Sequence, residues 1–128
     1  MISSTIRILV VDDEEMILIN LVAFLEDEGF SVLSTTSGEE ALELLASETV
    51  DIAIIDIRLP QMDGDTLIIK AHDLQPEMKF LIYTGSVNYT LPKTLMNLGV
   101  SEEQVFKKPL DDIGVLVQAI HQLTERKE

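Results

Sequence analysis

Four short stretches of this chain place carboxylates, a hydroxyl and an ammonium directly after runs of apolar residues. Asp12-Asp13 closes Ile6-Arg7-Ile8-Leu9-Val10-Val11, and Asp56 closes Val50-Asp51-Ile52-Ala53-Ile54-Ile55. Thr84 closes Lys79-Phe80-Leu81-Ile82-Tyr83, and Lys107-Lys108-Pro109 follows Gln104-Val105-Phe106. Three carboxylates brought within ~5 Å repel by roughly 3 kcal/mol per pair at an effective dielectric near 20. A hard dication between them relieves that repulsion, and an oxygen-only donor set with room for water suits Mg²⁺ better than Zn²⁺. A metal-bound carboxylate beside a hydroxyl and an ammonium fits phosphoryl transfer, where catalysis is mostly positioning and charge neutralisation. Asp56 is then the nucleophile that forms an acyl phosphate, while the metal, Thr84 and Lys108 each take one phosphoryl oxygen. Taken singly, an Asp after a strand is more often a turn residue or a helix cap. The specificity lies in the conjunction.

That conjunction needs a scaffold in which residues distant in sequence converge. The apolar runs lack polar alternation, which marks strands buried on both faces, as in a parallel sheet. Segments of helical period separate them. Ile17, Leu21, Phe24 and Leu25 lie on one face of a helix from Glu14 to Glu28, with Gly29 as its C-terminal cap. Phe30–Thr35 reads as the second strand, and Ser37-Gly38-Glu39-Glu40 as a capping box opening a helix through Ala41, Leu44 and Leu45. A turn-rich loop from Leu59 to Gly64 leads to a helix through Leu67, Ala71 and Leu74. Pro92 interrupts the helix expected near residues 88–98. Gln104-Val105-Phe106 is a short fifth strand, and Ile113, Leu116, Val117, Ile120 and Leu123 define a final amphipathic helix. Five βα units predict an α/β fold, a doubly wound parallel sheet with helices on both faces. Ligands then bind outside the carboxyl ends of the strands, where the four motifs gather.

Bulk composition narrows the alternatives. At 128 residues, residues 1–128 form one domain by size, and 46% apolar residues suit a globular chain. No apolar run has the length of a membrane span, and the N-terminus lacks the pattern of a secretory signal. With no cysteine there is no disulfide, thiolate nucleophile or thiolate zinc site, which is compatible with the cytoplasm. Nine basic against 23 acidic residues give a net charge of −14, which argues against direct nucleic-acid binding. Most of the glutamates read as solvated helix faces.

The motifs Val10-Val11-Asp12-Asp13-Glu14, Ile55-Asp56-Ile57-Arg58-Leu59-Pro60-Gln61-Met62-Asp63-Gly64, Tyr83-Thr84-Gly85 and Lys107-Lys108-Pro109 together resemble response-regulator receiver domains. These are the CheY-like phosphoacceptor modules of two-component signalling, and the likeness covers essentially the whole chain. It implies a flavodoxin-like sheet of strand order 2-1-3-4-5; the strand-end rule used above counts this family among its own examples. By the resemblance, Asp56 accepts a phosphoryl group from a sensor histidine kinase or a histidine phosphotransfer protein. Asp12, Asp13, Asp56 and the backbone carbonyl of Arg58 would hold Mg²⁺, and Thr84 and Lys108 would bind the phosphoryl oxygens. Lys108 is preferred to Lys107 because it directly precedes Pro109, often a cis proline in this family. Such a domain catalyses only its own phosphorylation and dephosphorylation. It signals to a downstream protein or a fused output domain, and a phosphorylation-linked dimer is compatible with it.

The sequence departs from the family pattern on the output side. Receivers commonly carry Tyr or Phe three residues before the lysine, where this chain has Val105. Phe106 should face the opposite side of the sheet. The connection after Gly99 is about two residues longer than is common, and with Pro92 it predicts a short, displaced or irregular fourth helix. Tyr89 offers a substitute ring, although a solvent-exposed loop tyrosine is the favoured expectation. Arg58 and Ser86 stand where receivers tune phosphate loss. His72 and His121 read as surface histidines, and Asn88-Tyr89-Thr90 as a chance sequon. An aspartyl-phosphate phosphatase of the haloacid dehalogenase type would need a second Asp where Arg58 stands. A flavodoxin-like nucleotide binder would need a phosphate loop where Asp12-Asp13-Glu14-Glu15 stands. A degenerate receiver acting only in protein interaction would lack the acidic, Thr and Lys set. The tail Thr124-Glu125-Arg126-Lys127-Glu128 fits a stand-alone receiver or one cut from a longer protein.

Overall fold

A computed structural model describes residues 5–124. Five parallel strands, β1 (Arg7–Val11), β2 (Ser31–Thr35), β3 (Ile52–Ile55), β4 (Lys79–Thr84) and β5 (Val105–Lys107), form one sheet in the order β2-β1-β3-β4-β5. Between and after them run α1 (Glu15–Asp27), α2 (Gly38–Leu45), α3 (Gly64–Leu74), α4 (Lys93–Met96) and α5 (Gly114–Thr124), with a 3₁₀ turn at Glu102–Gln104. The flavodoxin-like α/β architecture expected from the alternating runs is present, and the strand order reverses between β1 and β3.

Side chains alternate across each strand, so continuous apolar runs supply two cores. Leu9, Val11, Ala53, Ile55, Phe80 and Ile82 pack toward α2, α3 and α4 with Ala41, Leu67, Ala71 and Leu95. Ile8, Val10, Ile52, Ile54, Leu81 and Tyr83 pack toward α1 and α5 with Leu21, Leu25, Leu116 and Ile120. The registers Val11↔Thr35, Val11↔Ile55 and Ile55↔Ile82 align the strands, so the residues just beyond them fall together on one edge.

Local signals explain most boundaries. Gly29 takes φ +98°, and the bonds Gly29 N–H to Glu26 O and Phe30 N–H to Leu25 O close α1 in a Schellman motif. Ser37 caps α2 by accepting from Glu40 N–H at 3.2 Å. The expected box is only half formed, because Glu40 Oε1 accepts from Thr36 instead of the Ser37 N–H. Pro92 precedes α4 as its N-cap, and α4 is only four residues long. Val105 and Phe106 face opposite sides of the sheet, as the two-residue period requires.

The fifth strand is a correction: Gln104, expected within it, belongs to the 3₁₀ turn. Its buried side chain accepts from Ser101 N–H at 2.8 Å and donates to Phe80 O at 2.8 Å. β5 pairs with β4 only from Ile82 onward, so the Gln104 amide bonds a β4 carbonyl that lies before that pairing begins. The added residues after Gly99 thereby form an ordered connection rather than a loose loop.

Candidate phosphoacceptor site

The β1 and β3 ends are tied before their side chains act. Asp12 N–H donates to Thr35 O at 3.2 Å, and Asp56 N–H donates to Val11 O at 3.0 Å. Each carboxylate is then divided between two tasks. Asp12 Oδ1 accepts from Glu14 N–H at 2.9 Å, and Asp56 Oδ1 accepts from Arg58 N–H at 3.2 Å. Their second oxygens meet Lys108 Nζ, at 2.6 Å from Asp12 Oδ2 and 3.2 Å from Asp56 Oδ2. Asp12 and Asp56 are buried, whereas Asp13 is exposed at the rim. Ligand oxygens of Asp12, Asp13 and Asp56 lie within 4.8 Å of one another.

Lys108 reaches this pair because its backbone N–H donates to Thr84 O at 2.8 Å, fixing the end of β5 to the end of β4. The Lys108–Pro109 peptide is cis. Lys107, its neighbour, points elsewhere: its Nζ lies 3.2 Å from Ser86 O and 3.4 Å from Val87 O. Thr84 is fully buried, and its hydroxyl accepts from Ser86 N–H at 3.1 Å, which leaves the hydroxyl proton free to donate.

Burial pushes the Asp12 carboxyl up, against the pull of Lys108 and the Glu14 N–H. Burial pulls the Lys108 ammonium down, but its bond to Asp12 and the charges of both carboxylates outweigh this and hold it above its ordinary value. Lys108 is therefore a bound cation between two acids. All the candidate donors are hard oxygens, and the exposure of Asp13 leaves room for water on the cation, so the set fits Mg²⁺.

Some of the site was not singled out from sequence. The Tyr83 ring underlies Lys108, with Nζ 5.3 Å from the ring centroid. An aromatic in an otherwise aliphatic strand end, directly before Thr84, was the available signal. Gly64 is a matter of space: a Cβ there would fall 2.5 Å from Asp56 O and 2.7 Å from Ile57 Cα. Helix α3 can start against the backbone of Asp56 only without a side chain at this position. Tyr89 is the second correction. Rather than standing in solvent, it is half-buried against the α2–α4 core and donates from its hydroxyl to Asp65 Oδ1 at 2.8 Å. His121 is exposed, its ring 5.5 Å from that of Phe30, and His72 is half-buried.

Comparison with known proteins agrees with this geometry. The family described as response regulator receiver domain matches residues 8–121. The response regulator SaeR of Staphylococcus epidermidis is 35% identical over 103 residues, which are 80% of this chain and 44% of that protein. A CheY-like receiver domain from Methanospirillum hungatei superimposes with a TM-score of 0.82 at 34% identity, covering 95% of this chain and 96% of that one. A response regulator from Burkholderia pseudomallei, solved with a phosphorylated aspartic acid, a calcium ion and citrate, gives a TM-score of 0.73 at 26% identity. It covers 94% of this chain and 75% of that one. The chain belongs to the response-regulator receiver domains of two-component systems. It spans about half the length of the SaeR proteins it matches.

Proposed function

We propose that Asp56 is the phosphoacceptor of this receiver and that its modification is Mg²⁺-dependent. The observation that carries the reading is Lys108 Nζ held between Asp12 and Asp56, with the oxygens of Asp12, Asp13 and Asp56 gathered within 4.8 Å. An Asp56 carboxylate oxygen attacks phosphorus, and an O–P bond forms as the donor's N–P bond breaks. The departing imidazole of a histidine kinase or phosphotransfer protein keeps the bonding pair. Lys108 then follows the phosphoryl oxygens, and Thr84 donates its free proton to another of them. Asp12, Asp13, Asp56 and the carbonyl of Arg58 would hold Mg²⁺, which supplies positive charge where the phosphoryl group carries negative charge. The phosphorylated aspartic acid and calcium ion of the similar Burkholderia protein support this assignment.

The chain would thus catalyse only its own phosphorylation and dephosphorylation and work in the cytoplasm. Its phosphoform would act on a downstream protein or an output domain. No helix among the described residues is long and apolar enough to cross a membrane. With acetyl phosphate as donor, intact-mass measurement should show one added phosphoryl group in Mg²⁺ and none in EDTA. An unchanged mass in Mg²⁺ would sink the reading.

A further inference from the structure

The loop that follows Thr84 is tied down by two side chains from outside it, Asp65 and Lys107. Tyr89 reaches across to Asp65, in the first turn of α3, at 2.8 Å. Lys107, on β5, holds the carbonyls of Ser86, Val87 and Tyr89 at 3.2, 3.4 and 3.5 Å. Inside the loop, Thr84 Oγ1 accepts from Ser86 N–H, and Ser86 O accepts from Tyr89 N–H at 3.4 Å. Hydrogen bonds therefore link the Thr84 hydroxyl through Ser86 to the Tyr89 backbone, whose side chain holds Asp65. The far end is no ordinary surface contact. Asp65 adjoins Gly64, which lies against the Asp56 backbone and donates from its N–H to Ile57 O at 2.9 Å. The Tyr89–Asp65 bond thus joins the wall of the pocket built after β3 to the wall built after β4. Val105 leaves the usual ring position of the family on β5 without an aromatic, so the ring within reach of α3 is the loop's own Tyr89.

We infer that Tyr89 and Asp65 are positioning residues that latch the β4–α4 loop in its unmodified place, holding Thr84 back from Asp56. The inference rests on Asp56 being the acceptor. When Thr84 follows a phosphoryl oxygen, Ser86 and Tyr89 are drawn with it, and the bond to Asp65 opens. The latch then stabilises the unmodified form alone, so its removal favours the modified form by the same factor. Lys107 grips the same loop from β5 and carries its displacement to that strand.

The test uses beryllofluoride with Mg²⁺, an acyl-phosphate mimic whose dissociation constant is measured by calorimetry on the whole chain. Tyr89→Phe keeps the ring and removes the bond, and should bind about five- to tenfold tighter than the wild type. Asp65→Asn, which keeps an acceptor oxygen but loses its charge, should fall between the two. Tyr89→Phe should also melt earlier than the wild type when ligand-free and at the same temperature when saturated with beryllofluoride. Equal or weaker binding by Tyr89→Phe, or the same loss of melting temperature in both forms, would overturn the latch. Failure of the wild type itself to bind would overturn the acceptor assignment, and the latch with it.

Discussion

Lys108 concentrates the physics of the pocket in one side chain. Its ammonium is nearly buried, bonded to two carboxylates and seated over the Tyr83 ring, so part of the carboxylate charge is offset before any ligand arrives. Removing one member of such a group exposes the others to uncompensated burial. The tyrosines carry a signature of the same packing. Burial pushes the Tyr89 hydroxyl up, reinforced by its bond to Asp65, and burial raises Tyr83 despite the nearby charge of Lys108. An acid whose folded pKa exceeds its unfolded value of 10.0 gives stability that is complete below that pH and lost as pH rises above it. Lys108, raised by its partners, acts in the same direction as pH climbs through its folded pKa. Because the chain has only two tyrosines, phenolate absorbance reads both directly. The folded protein should show little phenolate near pH 10, with its stability falling above that point. A full two-tyrosine signal at pH 10 in folded protein would contradict the described burial.

At the scale of elements, the strands were legible because burial on both faces leaves uninterrupted apolar runs, and the chemistry was legible because it sits where those runs stop. Asp12, Asp13, Asp56, Thr84 and Lys108 could all be placed on one edge by that argument alone. What stayed hidden depends on distant partners. Gln104 looked like the first residue of a strand, and nothing local says that its amide serves Phe80 O, 24 residues earlier. Gln75 is similar: it accepts from Val50 N–H and donates to Leu45 O and Glu48 O, tying the end of α2 to the approach of β3. The setting of Tyr89 is hidden for the same reason, since its partner Asp65 lies on α3. The Gln104 contacts predict a separable defect. Gln104→Ala should lower the melting temperature, with a loss on the order of 1–3 kcal/mol from a stranded buried carbonyl, while phosphoryl uptake from acetyl phosphate persists. An unchanged melting temperature would show that the connection is not organised by that amide.

Across the whole molecule, an excess of 14 negative charges surrounds a pocket that is itself acidic, and the proposed phosphorylation of Asp56 would add more. Lys108 offsets that repulsion locally, and the proposed dication would do the same. The loop and helix joined by the Tyr89–Asp65 bond are where the added charge would be felt as movement. The parallel sheet makes this compact, because one edge carries Asp12, Asp13, Asp56, Thr84 and Lys108 together. The proposed function turns on which carboxylate is modified. Wild type and Asp56→Asn, both incubated with acetyl phosphate and Mg²⁺, should be compared by intact mass and by mapping the modified peptide. The wild type should gain one alkali-labile phosphoryl group on the peptide containing Asp56, and the variant none. Equal modification of the variant, or a phosphoryl group mapped to another residue, would contradict the account.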